Sequence, residues 1–345
     1  MKKKAVKFFA VVVMFCCLVL PANAGNFKNV VVFGDSLSDS GNVFSLKGGT
    51  YPPAPYQGRF SDGPVWVEYL VKSLGISGDF CNYAQGGART DLLNSQGDPL
   101  GFLTQVSAYT SLLTASAAFP TAFPQPQETL FIIWIGANDF LGDLPDPAAA
   151  VTQAMVNIQT GMSQLASVGA VTFMVVNMPN LGATPRMNQD DVSSTLGFQL
   201  ALGFNGALEQ VLLGFEAAYP AIEIVRLDSY SMLENIIRDP EGLGFTNVAD
   251  QKLGDDGSVA EGRYLFWDDI HPTTITHRIL AHQAAALLTC DCMGVPSFGA
   301  DLKLTVPYAE LGNDAYGFRL DYCADPAADP DGYYWKLDLS SITVE

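Results

Sequence analysis

An α/β domain with a mostly parallel sheet covered by helices is what this sequence predicts, and three observations carry that expectation. Short β-branched, apolar runs alternate along the chain with stretches of helical spacing, and such alternation implies βαβ crossovers. The runs are nearly continuous in apolar residues, as in strands buried on both faces. Of the 345 residues, 48% are hydrophobic and 16% charged, which supplies a large core and excludes a disordered chain.

In chain order, Asn29 to Phe33, Thr129 to Ile135, Val171 to Val176 and Ile222 to Leu227 read as strands. Val65 to Leu74, Pro147 to Val168, Ser194 to Tyr219 and Thr273 to Leu288 have helical spacing between and after them. The character changes beyond Cys292. Residues 300–306, 317–322 and 333–339 alternate apolar and polar side chains between turn-rich segments, so 295–345 is expected to form a small antiparallel β extension. Within it, Asp325, Asp329 and Asp331 follow no calcium-loop pattern and read as a solvated turn.

The first 24 residues read as a signal peptide. Lys2, Lys3 and Lys4 precede an apolar run that ends in Ala22-Asn23-Ala24, with small residues where a signal peptidase cuts. The expected division is therefore a signal peptide at 1–24, a catalytic domain at 25–294 and the extension at 295–345. No later stretch reaches the ~20 apolar residues of a spanning helix, so the mature chain is expected to be secreted, with no transmembrane segment. Removing four lysines with the signal takes the formal charge from −18 to −22, which speaks against a nucleic-acid partner. Cys81, Cys290, Cys292 and Cys323 would remain; in an oxidising compartment they permit two disulfides in any of three pairings. The Cys290–Cys292 spacing fits neither a redox nor a zinc motif, and no metal is expected.

The chain holds three histidines. His277 and His282 lie on an apolar helical run, whereas His271 stands in the loop Phe266-Trp-Asp-Asp-Ile-His-Pro-Thr273. An acid three residues ahead can fold back onto the imidazole Nδ1–H and leave Nε2 as a base. Ser36 follows the first strand in Gly34-Asp-Ser-Leu-Ser-Asp-Ser-Gly-Asn42. By itself that segment fits a turn with a capping Ser or Asp equally well. Two more segments add to it. Paired glycines in Asn82-Tyr-Ala-Gln-Gly-Gly-Ala88 can aim a backbone N–H into a site, and Asn138 follows the most apolar strand. The N–H groups of Ser36 and Gly87 and the Asn138 amide give three donors for an oxyanion.

These four segments, in this order, resemble the GDSL (SGNH) family of lipases and esterases. The matching blocks are Gly34-Asp35-Ser36-Leu37, Asn82-Tyr83-Ala84 with Gly86-Gly87, Gly136-Ala137-Asn138-Asp139, and Asp268 to His271 followed by Pro272-Thr273. Tyr56 to Leu70 also resembles a segment of the family's secreted, lipase-like branch. The resemblance implies a three-layer α/β/α, flavodoxin-like fold. It implies Ser36 as nucleophile, His271 as base and Asp268 as the carboxylate orienting His271, with Asp269 as its rival. Ser36, Gly87 and Asn138 become the oxyanion donors, with Gly86 as the alternative to Gly87. No cofactor is implied. The expected activity is hydrolysis of a small-molecule or lipid ester through an acyl-enzyme. Transfer of the acyl group to an alcohol shares the first half of that reaction. A non-catalytic carbohydrate-binding role, using Tyr333, Tyr334 and Trp335 as a stacking surface, is the third reading.

Overall fold

The computed structural model describes residues 27–115, 125–142, 146–254 and 263–289. The expected signal peptide, the C-terminal extension with its aromatic and acidic residues, and Cys290, Cys292 and Cys323 lie outside them. Cys81 is the one cysteine among the described residues and forms no disulfide among them.

Five parallel strands form the central sheet: β1 (Asn29–Gly34), β2 (Phe80–Asn82), β3 (Thr129–Trp134), β4 (Thr172–Val176) and β5 (Glu223–Leu227), in the order β2-β1-β3-β4-β5. This is the flavodoxin-like order, which puts the topological switch point between β1 and β3. The helices are α1 (Asn42–Leu46), α2 (Trp66–Leu74), α3 (Phe102–Ala115), α4 (Pro147–Ser167), α5 (Asp191–Ala218), α6 (Ser229–Arg238) and α7 (Thr274–Thr289).

Period-two geometry explains why the strand sequences are apolar throughout. Val31, Phe33, Phe131, Ile133, Phe173 and Val175 face one layer, where they pack on α3, α4 and α5. Val30, Val32, Leu130, Ile132, Met174 and Val225 face the other, against α2, α6 and α7. Both sides are thus covered, and the architecture is the expected three-layer α/β/α sandwich. A second sheet pairs β6 (Asn247–Gln251) with β7 (Tyr264–Phe266). It is parallel and precedes α7, so it is a different element from the extension expected at 295–345.

Caps fix where the long helices begin. Asp146 accepts the Ala149 N–H ahead of Pro147 in α4, and Asp190 accepts the N–H groups of Val192 and Ser193. The second cap starts α5 three residues before the apolar periodicity becomes visible.

Candidate active site

β1 delivers Ser36 to the carboxyl end of the sheet. Gly34 closes the strand, and a Cβ there would stand 2.6 Å from the Trp134 carbonyl. The buried Gln105 side chain of α3 clamps this end: its amide donates to Gly34 O (2.9 Å) and accepts from Gly34 N (3.0 Å). The chain then coils, with the N–H groups of Ser38 and Asp39 donating to Asp35 O at 3.1 and 3.0 Å. Ser36 N–H has no acceptor among the described residues, and the Ser36 side chain turns toward His271.

The Ser36 hydroxyl lies 2.7 Å from His271 Nε2, and His271 Nδ1 lies 2.7 Å from Asp268 Oδ2. All three residues are buried. Asp268 Oδ1 accepts the N–H groups of Ile270 (2.9 Å) and His271 (2.7 Å), which folds the loop back onto its own carboxylate. Burial alone would raise the Asp268 pKa. The His271 hydrogen bond and charge and the two N–H groups outweigh it and hold the carboxyl at about 2. An ionised Asp268 places the proton on Nδ1 and leaves Nε2 to accept the Ser36 O–H. Asp269 points elsewhere and forms a two-pronged ion pair with Arg186 at 2.8 and 3.1 Å, so the rival carboxylate is already engaged.

The paired glycines divide as well. Gly86 N–H donates to Asp39 Oδ2 at 2.9 Å, and a Cβ on Gly86 would sit 2.2 Å from the Phe60 ring. Gly87 takes a left-handed φ of 79°, and its N–H has no acceptor among the described residues. Asn138 follows Gly136, whose φ of 128° and contact with Phe204 suit glycine alone. The Asn138 amide donates to Ala88 O at 3.0 Å, beside Gly87. Asp139 anchors the same turn by accepting both Thr90 N (2.9 Å) and Thr90 Oγ1 (2.6 Å).

Ser36, Asn138 and His271 line one cavity with Trp134, Leu181, Met232, Leu233, Phe266 and Ile270. Its wall is almost entirely apolar, and Gly87 is not part of it. Among the described residues no cluster of three or more His, Cys, Asp or Glu side chains is placed to hold a metal. No helix among them is long and apolar enough to cross a membrane.

Sequence reasoning gave no role to Gln105, Asp39, Phe60 or Tyr56. The Phe60 ring lies 5.3 Å from that of His271, and the Tyr56 hydroxyl donates to Asp268 Oδ2 at 2.9 Å. Neither contact has a local signal, because each joins segments more than 200 residues apart.

The family model of GDSL-like lipase/acylhydrolase matches residues 30–284. The chain belongs to this family. GDSL-like lipases and acylhydrolases form an ester-hydrolase family, and the four blocks noted in the sequence all fall within the matched span. Among curated relatives, a thermolabile hemolysin of Vibrio parahaemolyticus is 28% identical over 281 residues, or 74% of this chain. The alignment spans 62% of that relative's length. A phosphatidylcholine-sterol acyltransferase of Aeromonas hydrophila is 25% identical over 76% of this chain and 90% of its own. Among solved structures, an acetylxylan esterase from Geobacillus stearothermophilus has 14% identity and a TM-score of 0.41, over 78% of this chain and 97% of its own.

Proposed function

We propose that this GDSL-family chain is a secreted serine ester hydrolase that cleaves carboxylic esters through an acyl-enzyme on Ser36. The observation that carries the reading is the unbroken run from Ser36 Oγ through His271 to Asp268, with 2.7 Å at each step. The proposed reaction follows from that order. As Ser36 Oγ attacks the ester carbonyl, its proton passes to His271 Nε2, and Asp268 stabilises the resulting imidazolium. The carbonyl oxygen becomes an oxyanion, held by Ser36 N–H, Gly87 N–H and the Asn138 amide. Collapse of this intermediate expels the alcohol, which takes the proton from His271. Water then attacks the acyl-enzyme, gives its proton to His271, and Ser36 leaves with that proton restored. The apolar cavity beside Ser36 suits the acyl portion of the ester.

Export is the part of the proposal that rests on the basic and apolar N-terminal stretch. Cleavage is expected near Ala24, and N-terminal sequencing of protein from the producing cells tests it.

The deciding assay compares the protein with Ser36→Ala on p-nitrophenyl esters from acetate to palmitate. Turnover that disappears in the variant is expected, and turnover that survives would remove Ser36 from the mechanism. A second reading, acyl transfer to an alcohol, is favoured by the Aeromonas relative, which is named an acyltransferase and is covered over 90% of its length. Product analysis with a competing sterol or other alcohol separates the two. Free acid alone counts for hydrolysis, and a new ester for transfer.

A further inference from the structure

We propose that Tyr56 is a positioning residue of the active site, its hydroxyl fixing the Asp268 carboxylate that orients His271. The inference rests on the serine-hydrolase reading above and extends it by one residue.

An ionised carboxylate offers about four lone-pair sites, and those of Asp268 are all occupied. Oδ1 takes the N–H groups of Ile270 and His271. Oδ2 takes His271 Nδ1 at 2.7 Å and the Tyr56 hydroxyl at 2.9 Å. The first three donors come from the Asp268–His271 loop itself. Among the described residues Tyr56 is the one donor from outside that loop, and it shares an oxygen with the imidazole. Burial, then the neighbouring Asp268 charge, keeps the Tyr56 proton in place well above the usual phenol range. It therefore acts as a donor at every pH where esters are assayed.

The phenol is held ready for this contact. Its ring meets Trp267 edge-on, with centroids 5.8 Å apart at 86°. The backbone turns tightly behind it, Arg59 N donating to Tyr56 O at 3.1 Å. Gln57 and Gly58 there have φ of 51° and 81°. Arg59 is pinned to Glu68 of α2 by bonds of 3.2 and 2.7 Å. Further along, Phe60 covers the His271 ring and Ser61 Oγ donates to Pro272 O at 2.9 Å. Asp62 Oδ1 then accepts Thr274 N at 2.7 Å. Residues 56–62 thus form a strap along the catalytic loop, and Tyr56 is the point where the strap reaches the carboxylate.

Removing the hydroxyl has two separable consequences. Asp268 loses one of four restraints, so His271 is aimed less well and kcat falls. Oδ2 also stops sharing its charge with the phenol, so more of it faces the imidazole. The acid limb of the rate profile then moves to higher pH. Other titratable or charged groups near His271 are Asp35 after β1, Asp269 with its partner Arg186, and the neutral His277 of α7, with Asp62 beyond His277. Tyr56→Phe leaves all of these in place.

The test uses the full chain and compares wild type, Tyr56→Phe, Tyr56→Ala and Ser36→Ala. For Tyr56→Phe, kcat is expected to fall about tenfold with KM unchanged. The acid limb of kcat/KM is expected to move to higher pH. The low-field proton resonance of His271 Nδ1–H, identified by its absence in His271→Gln, should move as well. Tyr56→Ala also removes the packing on Trp267 and should add a drop in Tm. A Tyr56→Phe protein whose acid limb and low-field resonance match wild type would overturn the proposal, whatever its Tm. The resonance is read without turnover, so it decides the role of Tyr56 even if Ser36→Ala shows that the serine-hydrolase reading fails.

Discussion

The Asp39 carboxylate binds the Gly86 N–H at 2.9 Å and so ties the loop after β1 to the loop after β2. Its other lone pairs take the N–H groups of Gly41 (2.8 Å), Asn42 (2.6 Å) and Val43 (3.1 Å). One buried side chain thereby sets the start of α1 and the position of Gly86. Gly86 N–H is thereby engaged, whereas Gly87 N–H has no acceptor among the described residues.

Replacing Asp39 with Asn would turn an amide NH2 toward two backbone donors. A buried donor left without an acceptor costs about 1–3 kcal/mol. Asp39→Asn is therefore expected to lose about 2–4 kcal/mol in urea denaturation and to lower kcat by letting the Gly86-Gly87 segment drift. Unchanged stability would show that Asp39 does not hold the two loops together.

Asn138→Ala separates catalysis from folding. Among the described residues the Asn138 amide has one partner, the Ala88 carbonyl at 3.0 Å, and the residue is half-buried. Loss of a side-chain oxyanion donor typically costs on the order of 10²–10³ in kcat. The stability change should stay near 1 kcal/mol, the worth of one ordinary hydrogen bond. Steady-state kinetics beside a thermal melt would check both. A fall in KM alone, with kcat intact, would remove Asn138 from the oxyanion site.

Much of the fold and of the candidate site is legible in the sequence, and the exceptions have physical causes. β1, β3, β4 and β5 announce themselves because both of their faces are buried, so apolar residues run continuously. β2 is a three-residue edge strand, exposed or half-buried throughout, and carries no such run. α6 buries only Ser229, Met232, Leu233 and Ile236, a narrow stripe within ten residues. In the site, Ser36, Asp268 and His271 stand in short local motifs. What distinguishes Asp269 from Asp268 in the structure is its ion pair with Arg186, 83 residues away. The choice between the glycines depends on Asp39, 47 residues from Gly86. No local pattern contains such partners.

Asp35, next to the candidate nucleophile, should impose a pH dependence on folding. Burial pushes its carboxyl up from 3.8 to about 7, against the opposing pull of the Leu37 N–H and the His271 charge. Between those two values the folded chain holds a proton that the unfolded chain has released. Stability contributed by this group therefore falls as pH rises from about 4 to 7 and is flat above. Asp35→Asn keeps an oxygen for Leu37 N–H and has no such titration. It is expected to be more stable than wild type at pH 8, on the order of 1–3 kcal/mol, and to match it near pH 4. Equal stability gaps at both pH values would refute this assignment.

His277 predicts the opposite slope. It is fully buried beneath the site on α7, and neither ring nitrogen has a hydrogen-bond partner among the described residues. Burial first, and then the positive charge of His271, depresses its pKa from 6.5 to about 3, while Asp62 opposes the shift weakly. The folded chain keeps this imidazole neutral, whereas the unfolded chain binds a proton below pH 6.5. Stability is accordingly lost as pH falls from 6.5 toward 3, and none of this loss occurs at neutral pH. His277→Leu substitutes an apolar side chain of similar size and removes both unpaired nitrogens. At pH 7 the gain should be about 1 kcal/mol, because two buried polar atoms no longer lack partners. Toward pH 4 the gap should widen by on the order of 2–3 kcal/mol, since only the wild-type unfolded state gains a proton there. Urea melts of both proteins at pH 7, 5 and 4 measure that difference directly. A gap that stays constant with pH would mean that His277 titrates alike in the folded and unfolded chains, and that it is not sealed from solvent.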